Sequence, residues 1–236
     1  MLPNPVGACQ LTTDAHSRIL KRMPFLLYCV IDAAARIEPP ARGVRDAAIE
    51  SVIESGLRCF YSEVPSVQGE AAVVRDDALV FHQVIHRIFT AATILPFRYP
   101  TLLPSLADVG AHLRHRAAQY NSALLSLAGK AQMDVRIAWA GTDQQASGGA
   151  EYLRRKAARD REINAAVSAL RVAAGDKVLD WRQRETPQGA RCFALLRRDD
   201  VCDFQQQLRQ LRLDPEVNVT VSGPWPPAEF LPEFND

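Results

Sequence analysis

The sequence predicts an α+β protein in which the element order β-α-β-β-α-β is read twice, once on each side of a long amphipathic helix. Three observations carry this expectation. Short apolar runs at residues 25–31 and 57–64 have the length and composition of buried strands. Residues 133–140 alternate Met133, Val135, Ile137 and Trp139 against Asp134, Arg136 and Ala138, the period of a half-buried strand. Between and after such runs, apolar residues recur at helical spacing. Two ferredoxin-like (βαββαβ) modules joined by a long helix account for every element without a long structureless loop. The expected division is a flexible N-terminal arm over 1–22, an N-terminal module over 23–102, a connecting helix over 103–130 and a C-terminal module over 131–236.

Residues 1–22 are polar, contain Pro3 and Pro5 and lack a sustained period. The first strand is expected at 25–31, followed by a loop at 38–43 rich in proline. Residues 44–54 carry apolar side chains at 44, 48, 49, 52 and 53, a helical stripe that Gly56 would end as a left-handed cap. Residues 57–64 read as the second strand and 70–74 as a short third. A helix follows over 76–91, with Leu79, Val80, Val84, Ile88 and Phe89 along one side and Asp76 and Asp77 near the positive end of its dipole. Residues 93–99 form an edge strand interrupted by Pro96. Pro104 suits a first helical turn, and from Ser105 a stripe through Leu106, Val109, Leu113, Ala117, Tyr120, Leu124 and Leu127 runs to Gly129. In the second half, the strand at 133–140 leads through a glycine loop at 141–149 into a charged helix at 150–174, ended by Gly175. Strands at 178–184 and 190–196 flank a turn at Thr186-Pro187-Gln188-Gly189. A helix capped by Asp199 or Asp200 runs to Leu211, and a last strand spans 217–221.

Composition narrows the function. Hydrophobic residues make up 47% of 236, enough for a sizeable core, and a net charge of +1 gives no field that would steer the chain to nucleic acid or an anionic membrane. Cys9, Cys29, Cys59, Cys192 and Cys202 never fall in a CxxC pair, so local zinc and redox motifs are missing; Cys29, Cys59 and Cys192 sit in apolar, strand-like runs and are expected as buried free thiols. The longest apolar run, 24–31, is far short of the roughly 20 residues that span a bilayer. The N-terminal residues lack the apolar core of a signal peptide, and a cytoplasmic location is expected.

Few constellations suggest chemistry. His82 and His86 lie four apart on one helix face, a spacing that can bind zinc, yet Gln83 stands where a zinc protease places its glutamate. His112 and His115 on the next helix would have to join them for a full ligand set. The segment Ser147-Gly148-Gly149 precedes a helix but matches no phosphate-loop pattern. Arginines at 154, 155, 159, 161, 182, 184, 191, 197 and 198 are interleaved with acids, which reads first as a solvated face, then as a surface for an acidic protein partner, then for RNA. Phe193 would lie on a sheet of the kind that stacks RNA bases, but the aromatic signature of such sheets is missing. Gly223-Pro224-Trp225-Pro226-Pro227 is the most unusual stretch: two consecutive prolines stiffen the backbone and fix the indole at low entropic cost.

These residues carry a resemblance. Val219-Thr220-Val221-Ser222-Gly223-Pro224-Trp225-Pro226-Pro227-Ala228-Glu229-Phe230 resembles the closing segment of the gas vesicle F/L proteins, a strand running into G-P-W-P-P-Y-S-F. His82, its helix and Leu95-Pro96-Phe97-Arg98-Tyr99-Pro100-Thr101 resemble that family's histidine, helix and L-P-x-R-F-G-T. Gly149-Ala150-Glu151-Tyr152-Leu153-Arg154-Arg155-Lys156 resembles its Y-L-x-x-K helix start. Order and spacing agree over residues 23–236. Ala228 and Glu229 replace a tyrosine and a serine, Tyr99-Pro100 replaces phenylalanine-glycine, and the acidic residue before the strand is Gln132 here, or is shifted to Asp134.

The resemblance implies a non-enzymatic part in gas vesicle formation, with the vesicle shell protein or other accessory vesicle proteins as partners and with no cofactor. It singles out Trp225, Pro226, Pro227, Phe230, Arg98 and Tyr152 as structurally decisive, a partner-binding or structural motif. Two other readings compete: a metal-dependent enzyme using His82 and His86, and a ligand- or RNA-binding sensor on a ferredoxin-like sheet.

Overall fold

A computed structural model describes residues 23–65, 71–140 and 148–232. The arm expected over 1–22 and most of the glycine loop, 141–147, lie outside the described residues. Two antiparallel sheets form. The first contains β1 (Phe25–Asp32), β2 (Glu50–Glu54), β3 (Leu57–Glu63), β4 (Leu95–Pro96) and β5 (Leu102–Leu103), with the helices α1 (Ala71–Ala91) and α2 (Leu106–Ser126). Its order is β2-β3-β1-β4, with β5 also pairing β1. The second contains β6 (Lys130–Trp139), β7 (Val178–Thr186), β8 (Gly189–Arg197) and β9 (Val217–Trp225), with α3 (Gly149–Ala174) and α4 (Val201–Gln210), in the order β7-β8-β6-β9.

The second half is the expected β-α-β-β-α-β unit, with its strands in the ferredoxin-like order. The first half keeps that spatial order but not the expected elements. Residues 44–54 are not a helix: a 3-10 turn at Val44–Asp46 leads into β2. Arg45 and Asp46 both have positive φ, 56° and 58°, which no helix tolerates. Arg45 is held there by Asp77 of α1, at 2.9 Å. Ser55 and Gly56 have φ of 52° and 78°, as a tight two-residue hairpin turn requires, so Gly56 joins β2 to β3 instead of capping a helix.

A buried polar relay fixes this irregular segment on the sheet. The Tyr28 hydroxyl accepts from Val44 N at 3.0 Å and donates to Ser62 Oγ at 3.1 Å. Ser62 Oγ donates to Ala48 O at 2.8 Å. Each polar atom thus finds a partner where water is excluded.

Further expectations fail nearby. Residues 71–74, expected in a strand, begin α1, which therefore starts ahead of Asp76 and Asp77; Asp77 is buried against Arg45 instead of stabilising a first turn. Leu79 is exposed, and Phe81 and Ile85 join Val84, Ile88 and Phe89 in the core. β4 shrinks to two residues, consistent with the missing N–H of Pro96.

α1 and α2 cover opposite faces of the first sheet. Phe81 of α1 stacks on Tyr28 at 5.2 Å, whereas Val109, Leu113, Tyr120 and Leu124 of α2 cluster with Leu27, Val30, Cys59 and Tyr61. Burial on both faces explains why β1 reads as a continuous apolar run. Ser105 caps α2 through Asp108 N at 3.2 Å. Both hydrophobic clusters continue into the second sheet: one reaches Met133, Val135 and Ile137, the other Phe193, Leu195 and Phe230. Among the described residues no helix is long and apolar enough to cross a membrane.

Candidate functional site

The C-terminal segment is built onto β9, an edge strand beside β6. Register shifts by one residue between Gln132 and Asp134, which face Trp225 and Ser222. Gly223 absorbs this bulge with φ +121°, and a Cβ there would meet Gln132 O and Met133 Sδ at 2.9 Å each, so only glycine fits. Trp225 then lies at the strand end. Its Nε1 donates to Ser222 Oγ at 3.3 Å, its ring centroid is 5.8 Å from that of His86 on α1, and it remains 39% exposed.

The next residues turn inward. Pro226 and Pro227 are buried, and a short turn at Ala228–Phe230 delivers Phe230 into the cluster that holds Phe193 and Leu195. The Arg182 guanidinium lies 5.1 Å from the Phe230 centroid and donates to Glu229 O. The Glu229 carboxylate pairs with Arg184. Its backbone N donates to Gln132 Oε1 at 2.9 Å, Gln132 Nε2 donates to Asp134 Oδ1 at 2.7 Å, and Arg191 donates to Asp134 Oδ2 at 2.5 Å. Arg184 and Arg191 lie over the ring of Phe193, at 5.4 and 5.0 Å. Gln132 and Asp134 are the buried polar side chains of β6, and this closed network satisfies both.

The six residues singled out by sequence divide into two groups. Pro226, Pro227 and Phe230 are buried anchors, whereas Trp225, Arg98 and Tyr152 are exposed. Arg98 lies beyond β4, where its carbonyl accepts from Thr101 Oγ1 at 2.6 Å. Tyr152 is 58% exposed in the first turns of α3. Among the described residues no hydrogen bond or ring contact links Arg98 or Tyr152 to the C-terminal segment. Sequence reasoning missed Gln132, Arg182, Arg184 and Glu229 as a set. The one available signal was the polar alternation of β6 at 132, 134 and 136.

The histidines do not converge. His86 packs on Trp225, His82 lies 6.0 Å from Phe81 on the same helix, and His112 Nε2 bonds the Tyr120 hydroxyl at 2.7 Å. The first sheet separates α1 from α2. Among the described residues no group of three or more His, Cys, Asp or Glu side chains could hold a metal ion. Phe193 is 1% exposed beneath two arginines, so it offers no platform for a base. Cys29, Cys59 and Cys192 are buried free thiols, and burial pushes Cys59 up to about 12 and Cys192 up to about 11. Such thiols stay protonated and unreactive near neutral pH.

The site is thus an exposed indole at the end of β9, held by a tail locked onto the second sheet. Comparison with known proteins places the chain in a family. The family model described as gas vesicle synthesis protein GvpL/GvpF matches residues 24–232, and the chain belongs to this family. Its fold is similar to the crystal structure of the gas vesicle protein GvpF from Anabaena sp. PCC7120, with TM-score 0.72 and 16% identity over 90% of this chain and 97% of that one. It is also similar to gas vesicle protein GvpF from Microcystis aeruginosa, with TM-score 0.71 and 14% identity over 89% and 99%. A search of curated proteins returned no match.

Proposed function

We propose that this chain is a non-enzymatic accessory protein of gas vesicle assembly that binds the vesicle shell protein or another vesicle protein. Family membership across residues 24–232 is the observation that carries the reading. The C-terminal geometry supports it. Buried Pro226, Pro227 and Phe230 fix the backbone, so the exposed Trp225 indole is presented with little left to order on binding. Large aromatic side chains held this way are typical anchors of protein interfaces. A soluble partner of this kind would shield apolar shell subunits before they assemble.

The test is capture of vesicle proteins by the purified chain, with Trp225→Ala as a variant checked for native folding. Specific capture of a shell or accessory protein is expected, weakened in the variant. Capture of none of them would sink the proposal.

A further inference from the structure

α3 is longer than the sheet it covers. Its 26 residues extend about 39 Å at 1.5 Å per residue, whereas the ten residues of β6 extend about 33 Å. Its buried residues are Ile163, Ala166, Val167, Leu170 and Ala174, all in the second half. The inward stripe continues at the same spacing through the first half, but as Tyr152, Arg155, Lys156 and Arg159. There the stripe changes from aliphatic to aromatic and cationic, and Tyr152 and its neighbour Leu153 are 58% and 64% exposed. Arg159 donates to Pro187 O at 2.7 Å, which braces this end of the helix on the turn between β7 and β8.

We infer that the first three turns of α3 are a docking surface for an acidic segment of a protein partner. Tyr152 and Lys156 are one helical turn apart, Arg159 follows on the same stripe, and Leu153 adds an exposed apolar contact. Residues 149–162 hold five basic side chains against three acidic ones, and with Arg155 paired to Glu151 along the helix four cations face two acids, so the surface is complementary to carboxylates. The exposed Leu153 beside the cations offers an apolar contact that side chains of a protein segment fill and a phosphate backbone does not, which favours protein over nucleic acid. The partner's identity as a vesicle protein rests on the function proposed above; its acidic chemistry rests on α3 alone.

The experiment uses the full chain and a fluorescein-labelled glutamate-rich peptide, followed by anisotropy, with a single-stranded oligonucleotide in parallel. The peptide binds the wild type more tightly at low salt. Tyr152→Ala combined with Lys156→Glu weakens it roughly tenfold, because an attraction becomes a repulsion. Arg171→Glu, the same charge change on the exposed face of the second half, leaves binding unchanged. Lys156→Gln, which removes the charge without adding its opposite, gives an intermediate loss and guards against a folding defect in the double variant. Absence of peptide binding, equal binding by all variants, or preference for the oligonucleotide would overturn the inference. None of these outcomes depends on capture of a vesicle protein, so the two ideas fail separately.

Discussion

Gln132→Met keeps the length and volume of the side chain at the centre of the tail network and removes both its polar ends. In the native chain, Gln132 accepts from Glu229 N at 2.9 Å and donates to the Asp134 carboxylate at 2.7 Å, while only 5% exposed. Losing a buried hydrogen bond to a charged group costs about 1.5–3 kcal/mol, and losing a neutral one about 1 kcal/mol. Arg191 still holds the other oxygen of Asp134, and the methionine gains some apolar burial, which offsets part of the loss. The net expectation is a destabilisation of about 2–3 kcal/mol. Urea unfolding should show it as a lower midpoint with an unchanged slope. Hydrogen exchange should show the Glu229 amide losing protection, because its acceptor is gone. A stability change below about 0.5 kcal/mol, the scatter of ordinary surface substitutions, together with an unchanged Glu229 amide, would refute the claim that this side chain ties the tail to the sheet.

Three further outcomes follow from other parts of the fold. Tyr28→Phe strands the N–H of wholly buried Val44 and should cost about 1–3 kcal/mol in the same unfolding assay; a neutral result would mean that the relay does not hold the 33–49 segment. Gly223→Ala forces a Cβ to 2.9 Å from Gln132 O at a φ of +121°, and should destabilise by about 1–3 kcal/mol; full stability would show that the bulge can relax. Because burial raises Cys59 and Cys192 from 9 to about 12 and about 11, the folded chain keeps protons that the unfolded chain releases above pH 9. Stability is therefore full below pH 9 and falls as pH rises toward these values, by up to about 1.4 kcal/mol per pH unit for each thiol, and a Cys59→Ala/Cys192→Ala variant should show a shallower slope.

The second sheet was readable almost element by element because its cues are local: the alternation of β6, the turn before Gly189, and Gly175 at the end of α3. The first sheet was less readable. Residues 44–54 carry a helical stripe, but long-range contacts decide their structure: Arg45 on Asp77 and Val44 on Tyr28 hold backbone conformations that a helix cannot adopt. Helix α1 extends to Ala71 although residues 70–74 read as strand, because a tendency over so few residues is weak beside continuation of a long helix. At the site, the prolines around Trp225 marked the segment as unusual. The roles of its residues depend on cross-strand register, which puts Gln132 opposite Trp225 and Arg182 opposite Phe193, and a linear pattern does not display that pairing.

The most direct measurement is vesicle formation in cells carrying a reconstituted gas vesicle gene set that lacks this family member, supplied with either the wild-type chain or folded Trp225→Ala. The account predicts that the wild-type chain restores vesicles and binds a vesicle protein in the same cells, with both reduced by the variant. Restoration by neither chain, without binding to any vesicle protein, would contradict it.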